Sequence, residues 1–444
     1  MNSESMIRLK DVHSVIGSRM LADGLDMVLD LEKSKGTRLY DSEKGRYLLD
    51  FFGFFASNPV GMNHPGLSDP EFLKDLMLAA KNKVTNSDIY TRQMAEFVET
   101  LSREATPDYL KYFFFVSGGA LAVENGLKAA FDWKVRKNMM NGETKELGSK
   151  IMHLKEAFHG RSGYTLSLTN THDPRKTIYF PKFDWPRISN PKLRFPVTEK
   201  VLQEVEELEK KSLTEMEQSF EKYGNDIAAF IMEPIQGEGG DNHFRNEYFK
   251  GVAKIVREND SLLIFDEVQS GMGVTGKWWA HQHFDVKPDI LVFGKKSQVC
   301  GIMVGSKIDE VKDNVFKVSS RINSTWGGNL VDMVRSKKFI EIVKEESLIK
   351  NAEKVGKVLV DELINLSSEF PDMVSNPRGR GLMDAFDLKS EKHRDEFFDR
   401  MFSKGVLLLK AGELTIRLRP ALILSEEDVK EFVVKAREVL KEMR

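Results

Sequence analysis

The chain has 444 residues, 66 of them Lys or Arg against 68 Asp or Glu; this near-balance gives no general attraction to nucleic acid or acidic membranes and leaves a small molecule as the default partner. At roughly 150 residues per domain the length accommodates two or three units, and apolar runs such as Phe51 to Ala56 fall far short of the roughly 20 residues of a membrane helix. The single cysteine, Cys300, excludes an intrachain disulfide and fits a reducing compartment, and the N-terminal MNSESMIRLKDVHSVIG has no apolar segment of signal-peptide length, so a cytoplasmic protein with no metal site is expected.

In chain order, Gly36 to Pro65 reads as a hairpin turning around Asp41 to Gly45, followed by an aromatic loop in which Phe51, Phe52, Phe54 and Phe55 suit a core. Phe113 to Val116 is a candidate strand that runs into Ser117-Gly118-Gly119-Ala120 and then a helix with Val123, Leu127 and Phe131 on one side. Glycines at a strand-to-helix turn let backbone N–H groups approach a phosphate, and the helix dipole adds to that attraction; a plain tight turn is the competing reading. Ile151 to Leu154 is a further short strand, after which Phe158 can stack on a ring and Arg161 can clamp a carboxylate, while His159 reads as structural. Glu199 to Lys222 has helix spacing and reads as a solvated helix face. Ile227 to Met232 is another strand, and it enters EPIQGEGG at Glu233.

The stretch Leu262 to Gly301 organises the rest. Four apolar residues, Leu262 to Phe265, form a buried strand ending at Asp266, and a second, Ile290 to Phe293, ends at Gly294, Lys295 and Lys296. In an open α/β sheet ligands lie beyond the carboxyl ends of the strands, so the carboxylate and one lysine converge on one crevice. A buried acid without a cationic partner tends to its neutral form, which makes a protonated pyridine nitrogen a sensible partner for Asp266. That pairing is what pyridoxal phosphate needs. Of the two lysines, alternation sends Lys296 away from Lys295. Cys300 reads as a small buried hydrophobe. Beyond the polar loop Asn323 to Asn329, helical spacing dominates, with strands expected to begin at Arg378 and over Gly405 to Leu409. Thr415 to Pro420 alternates with period two, placing Arg417 and Arg419 on one face, and Ser425 to Asp428 reads as a helix start.

The run DEVQ, Gly-rich turn, PDI and strand ending in Gly-Lys, with EPIQGEGG and an arginine before R-P-A, resembles the class III pyridoxal-phosphate aminotransferases over nearly the whole chain. Within that family FGKKSQVCG, RINSTWGGNLVDMVRSKK and SGGALAVENGLKAAFDWK look most like the L-lysine 6-aminotransferases. The resemblance implies a fold-type-I α/β protein with a mostly parallel sheet in a large domain, residues 65–330, and a small α/β domain joining 1–64 to 331–444. It implies pyridoxal 5′-phosphate on Lys295, with Asp266 at the pyridine nitrogen, Gln269 at the ring oxygen, Phe158 on the ring, and Gly119 and Ala120 at the phosphate. Ala120 replaces the family's usual Ser or Thr, Ser117 stands where the lysine subgroup has an acid, and Val274 stands where many members have arginine. One or more of Phe54, Phe55 and Ala56 is expected to wall the pocket. Arg161 and Arg417 are implied to bind substrate carboxylates, with Glu238 covering Arg417 when lysine is bound and releasing it for 2-oxoglutarate. Thr325 is implied to reach the phosphate in a neighbouring subunit's site, with Asn323 also acting there and binding substrate and Ser324 binding cofactor, which calls for a homodimer. Transfer of the ε-amino group of L-lysine to 2-oxoglutarate is the expected reaction; an ω-aminotransferase for ornithine, 4-aminobutyrate or a diamine, and a cofactor-binding protein with little turnover, are the alternatives.

Overall fold

Apolar runs bounded by charge become the strands of the central sheet, because strands covered on both faces have no need of polar residues. The computed structural model describes residues 7–444; residues 1–6, which begin the N-terminal segment read above as lacking a signal peptide, lie outside the described residues. Strands β1 (Leu29–Lys35), β2 (Arg38–Asp41) and β3 (Arg46–Asp50) form the N-terminal meander, and the β2–β3 turn falls on the expected residues. The central sheet contains β4 (Leu110–Val116), β5 (Lys150–Leu154), β6 (Arg187–Ile188), β7 (Ile227–Met232), β8 (Leu262–Asp266), β9 (Ile290–Phe293) and β10 (Cys300–Gly305), in the spatial order β4-β10-β9-β8-β7-β5-β6. Only β10 runs against the rest, pairing antiparallel with both β4 and β9. The carboxyl ends of β4, β5, β7, β8 and β9 therefore share one edge, and β10 starts from it. This is the mostly parallel α/β architecture that the resemblance implies.

The C-terminal part adds β11 (Val374–Arg380), β12 (Met383–Leu388), β13 (Val406–Leu407), β14 (Leu409–Ala411) and β15 (Thr415–Leu418). Two strand expectations need correction. Arg378 to Leu382 is the end of β11 and a turn, since Gly381 takes φ +59° to reverse the chain. Gly405 to Leu409 holds two strands in different sheets: β13 pairs parallel with β3, and β14 pairs with β15. The β13–β3 pairing joins the N-terminal segment to the C-terminal third. Their shared core includes Leu49, Phe51, Val60, Phe386, Leu418, Phe432 and Leu440. The final helix, Glu426–Glu442, starts as expected on a reciprocal cap between Ser425 and Asp428. The charged helix spans Glu199–Tyr223 but is less solvated than its composition suggests, because it buries Val205, Glu209, Met216 and Phe220. Among the described residues no helix is long and apolar enough to cross a membrane.

The joint between these parts is a left-handed turn. Gly53, Phe54, Phe55 and Ala56 all have positive φ, between 51° and 69°. Asp50 starts it by accepting from the N–H groups of Phe52 and Gly53 at 2.9 and 2.8 Å. A Cβ on Gly53 would lie 2.0 Å from the carbonyl oxygen of Arg419, so the turn and the end of β15 touch backbone to backbone. Gly53→Ala is expected to lower stability by about 1–3 kcal/mol through overpacking and left-handed strain, read as a fall in the urea unfolding midpoint; an unchanged midpoint would show that the contact relaxes freely.

Candidate active site

The shared edge of the sheet opens into a cavity of about 790 Å³. Gly118, Gly119 and Ala120 line one wall at the N-terminus of the helix Gly119–Met140, which no side chain caps. Its first N–H groups and its dipole are therefore available to an anion. A Cβ on Gly118 would meet nothing within 4 Å, whereas Ala120 packs its methyl on Gly160, where an added Cβ would approach to 2.6 Å. The small side chain at Ala120 thus has a packing reason.

Asp266 ends β8 in the cavity floor. Its Oδ1 accepts from the N–H of Val268 at 3.0 Å, and its Oδ2 lies 2.8 Å from His159 Nδ1, which donates its proton there. His159 is buried, so the sequence reading of it as merely structural missed its place directly behind Asp266. Glu233, the last residue the sequence placed before the glycine-rich loop, stands beside this pair. Burial raises its carboxyl to about 7, and the Asp266 charge pushes the same way against the pull of His159. Its two oxygens accept from the N–H groups of Phe158 and Gly237, each at 3.0 Å. Glu233 thereby fixes the backbone of the aromatic residue that lines the cavity.

Lys295 and Lys296 separate, but not by strand alternation. Strand β9 stops at Phe293, and Lys295 adopts φ +54° in the tight turn that follows. Lys295 lines the cavity and donates from Nζ to the carbonyl of Phe55 at 3.0 Å. Burial, with Arg417 and Arg419 nearby, lowers its ammonium to about 8. Lys296 is only 1% exposed, lies outside the cavity lining and donates to the carbonyl of Ala56 at 3.1 Å. Burial drives its ammonium well below the ordinary lysine value, with Arg419 and Lys295 adding to the effect. Of Phe54, Phe55 and Ala56, one or more of which is expected to wall the pocket, Phe55 does so.

Arg417 and Arg419 leave β15 on one face, as alternation requires, yet they are buried rather than solvated. Both donate to Gln269 Oε1, at distances of 3.0 to 3.2 Å, which leaves the Gln269 amide nitrogen as its free donor. Gly237 sits so close to this amide that an added Cβ would come within 2.3 Å of Oε1. Arg419 is held by a fully buried ion pair with Asp241. Arg417 Nη2 donates to Glu238 Oε2 at 2.5 Å, which is the pairing expected for a covering carboxylate. The other oxygen of Glu238 accepts from Lys176 Nζ, also at 2.5 Å. Burial raises the carboxyl of Glu238, but Arg417 and Lys176 together hold it below its usual value. No local pattern in the sequence marked Lys176; only the tertiary fold brings it to this loop. Arg161 lines the cavity and is exposed.

Val274 is buried, and its carbonyl accepts from the Leu382 N–H at 2.7 Å, so it serves packing and makes no charged contact. Cys300 lines the cavity, and burial raises its thiol. Asn323, Ser324 and Thr325 do not line the cavity of their own chain. They form a loop at the surface against Asn86 and Ser87, where Ser87 Oγ donates to the Thr325 carbonyl at 3.4 Å and Asn86 N donates to the Trp326 carbonyl at 3.2 Å.

A family model described as aminotransferase class-III matches residues 20–440. The L-lysine-epsilon aminotransferase of Mycobacterium bovis is 51% identical over 430 residues, covering 97% of this chain and 95% of that protein. The protein of the same name from Streptomyces clavuligerus is 46% identical over 426 residues, covering 95% and 92%. Among solved structures, the lysine aminotransferase from Mycobacterium tuberculosis superposes with a TM-score of 0.96 at 50% identity, covering 99% of this chain and all of that one. With the match running from one end of the described fold almost to the other, the chain belongs to the class-III aminotransferases.

Proposed function

We propose that the protein transfers the ε-amino group of L-lysine to 2-oxoglutarate, giving 2-aminoadipate 6-semialdehyde and L-glutamate. The observation that carries this reading is the meeting of Lys295 and Asp266 in one cavity whose second wall holds the Glu238–Arg417 pair. The relatives described above act on lysine and support the choice of donor.

The family's cofactor is pyridoxal 5′-phosphate, and the donor set fits it: an uncapped helix N-terminus, a buried carboxylate, an amine of lowered basicity and an aromatic ring share the cavity. When bound, the cofactor supplies the electron sink that lets an amino group leave one carbon and join another. Gly119 and Ala120 would hold its phosphate through their N–H groups. Asp266, steadied by His159, would keep a proton on the ring nitrogen. Phe158 would stack on the ring, and the free amide nitrogen of Gln269 would donate to the ring oxygen. Lys295 would be the covalent anchor and, once released, would take and return the proton at the reacting carbon; its lowered basicity makes the neutral amine accessible near neutral pH.

Arg161 takes the α-carboxylate of lysine at the cavity mouth. Glu238 meanwhile neutralises Arg417, so that this arginine does not attract the α-carboxylate to the reacting end of the cofactor. For 2-oxoglutarate Glu238 withdraws, and two arginines meet two carboxylates. Asn323, Ser324 and Thr325 complete the neighbouring site of a homodimer, a role supported by their place on one loop away from their own cavity, with Asn323 and Thr325 exposed and Ser324 half-buried. The same reading divides the chain at residues 64 and 330 into the large and small domains, and it places the protein in the cytoplasm, in keeping with one buried thiol. No nucleic-acid or membrane partner is part of it.

The test is the visible absorption of the purified protein. Its yellow band is expected to disappear when L-lysine is added without an oxo acid and to return with 2-oxoglutarate, while ornithine and 4-aminobutyrate act more slowly. A band that lysine leaves unchanged would remove the substrate assignment, and a protein without the band would remove the cofactor reading. Loading of cofactor-free protein should also depend on pH. Because only the neutral amine of Lys295 attacks an aldehyde, the loading rate should rise about tenfold per pH unit below 8 and level off above it; a profile still rising at pH 10 would mean that the amine keeps ordinary lysine basicity. Glu238→Gln should lower the preference for lysine over glutamate as amino donor by about tenfold or more, measured as the ratio of the two kcat/KM values, and an unchanged ratio would remove the covering role.

A further inference from the structure

The carboxylate of Glu238 carries one cation on each oxygen, and only Arg417 has a part in the mechanism above. Lys176 is the other. It ends a short turn, Pro174–Lys176, capped by Asp173, and its amine has Thr171 Oγ1 at 3.4 Å and the ring of Phe158 at 5.8 Å. Its side chain is 16% exposed and that of Glu238 22%, so this is an ion pair drawn into the cavity wall and not a solvated surface contact. Arg417, by contrast, sits on a rigid strand. Its guanidinium is buried, and its Nε has no hydrogen-bond partner, so a donor is left spare beside the position that Glu238 occupies.

These positions constrain any exchange of partners at Arg417. A partly buried carboxylate that loses its only counter-ion is strongly destabilised, because its remaining charge is neither solvated nor paired. With a second cation already in contact, Glu238 can give up Arg417 and remain paired. We propose that Lys176 is the counter-ion on which Glu238 rests when Arg417 binds an oxo-acid carboxylate, which makes it a positioning residue that sets the preference of the site for dicarboxylates. The inference depends on the reading of Glu238 and Arg417 given above. The cavity lining sets Arg161, Lys176, Lys295 and Arg417 against Glu233, Glu238 and Asp266, and Lys176 is one of the two cations that hold Glu238. Removing Lys176 leaves Arg417 as the sole partner of Glu238. The cover over Arg417 then tightens, and the cost falls on the dicarboxylate and not on lysine.

The experiment compares Lys176→Met and Lys176→Arg with the unaltered full-length holoenzyme, using calorimetric binding of glutarate, an unreactive dicarboxylate, and of hexanoate, a monocarboxylate of lysine's chain length. In Lys176→Met the Kd for glutarate should rise about tenfold relative to that for hexanoate, and the ratio of kcat/KM for 2-oxoglutarate to that for L-lysine should fall by a similar factor. Lys176→Arg should keep both ratios within about threefold. In a Glu238→Gln background the Lys176 substitution should lose its selective effect, since the two act through one pair. Ratios unchanged by Lys176→Met, or losses equal for both ligands, overturn the proposal by making Lys176 a passive or merely structural charge. If Glu238→Gln itself leaves selectivity unaltered, the covering role of Glu238 is at fault; if Glu238→Gln acts and Lys176→Met does not, only the inference about Lys176 fails.

Discussion

The site depends on the left-handed turn at residues 53–56 and on what its carbonyls accept. Left-handed backbone is unfavourable for Phe54, Phe55 and Ala56 by about 1–2 kcal/mol each, so the turn persists only because its surroundings impose it. On one side the Arg419 backbone touches Gly53 and donates to the Phe51 carbonyl at 2.8 Å. On the other, three successive carbonyls, of Phe55, Ala56 and Ser57, accept from Lys295, Lys296 and Gln298. The end of β9, the N-terminal loop and the end of β15 are thus fastened at one point. A shift in any of them would move the amine of Lys295 relative to Asp266.

Around this point the chain buries an unusual amount of charge, and partnership decides what each group can do. Arg419 and Asp241 cancel one another at zero exposure and hold Gln269 in place. Glu267, next to Asp266, accepts from the N–H groups of Ala280 and His281 and lies 2.6 Å from His281 Nδ1, with Tyr109 on the far ring nitrogen; this fastens the loop behind β8. Such pairs contribute little net stability compared with apolar packing, but breaking one leaves an uncompensated buried charge. They therefore fix geometry. Glu238 is the exception, because it has two cations and one carboxylate to divide between them. That surplus permits a rearrangement without stranding a charge.

The central strands were legible because burial on both faces writes itself as continuous apolar runs; β7 and β9 fall on the expected residues. The meeting of Asp266 and Lys295 in one cavity was legible because Asp266 and the lysine pair stand where such runs stop. Strand β10 was hidden by its two glycines, one of which, Gly301, is required where an added Cβ would approach the Phe114 carbonyl to 2.3 Å. Strand β1, Leu29–Lys35, reads as LDLEKSK, an edge strand with mostly solvated side chains and no apolar run to reveal it. The roles of His159, Glu233 and Lys176 were invisible for a different reason. Each is defined by a partner tens of residues away, and residue type alone favours a structural histidine, a loop acid and a solvated lysine. Phe-Phe-Ala in left-handed backbone contradicts local preference outright, which is where strain held by tertiary contacts is expected to escape a sequence reading.

The two adjacent lysines show how such a contradiction becomes useful. Burial lowers the basicity of both, so a lowered pKa does not distinguish the amine of Lys295 from its neighbour. Access does. A left-handed residue at Lys295 turns its amine toward the cavity, while the next residue turns its amine into the protein beside Asp50, whose own carboxyl burial raises to about 6. Lys296 and Asp50 then act on the same turn, one from each end: the carboxylate accepts the N–H groups that begin it, and the amine donates to a carbonyl that ends it. Lys295 also donates to that turn; on the proposed reading its nitrogen would give up this donation when it anchors the cofactor. Lys296 would keep its own, and with the Asp50 cap and the Arg419 contact it would hold Phe55 at the cavity wall.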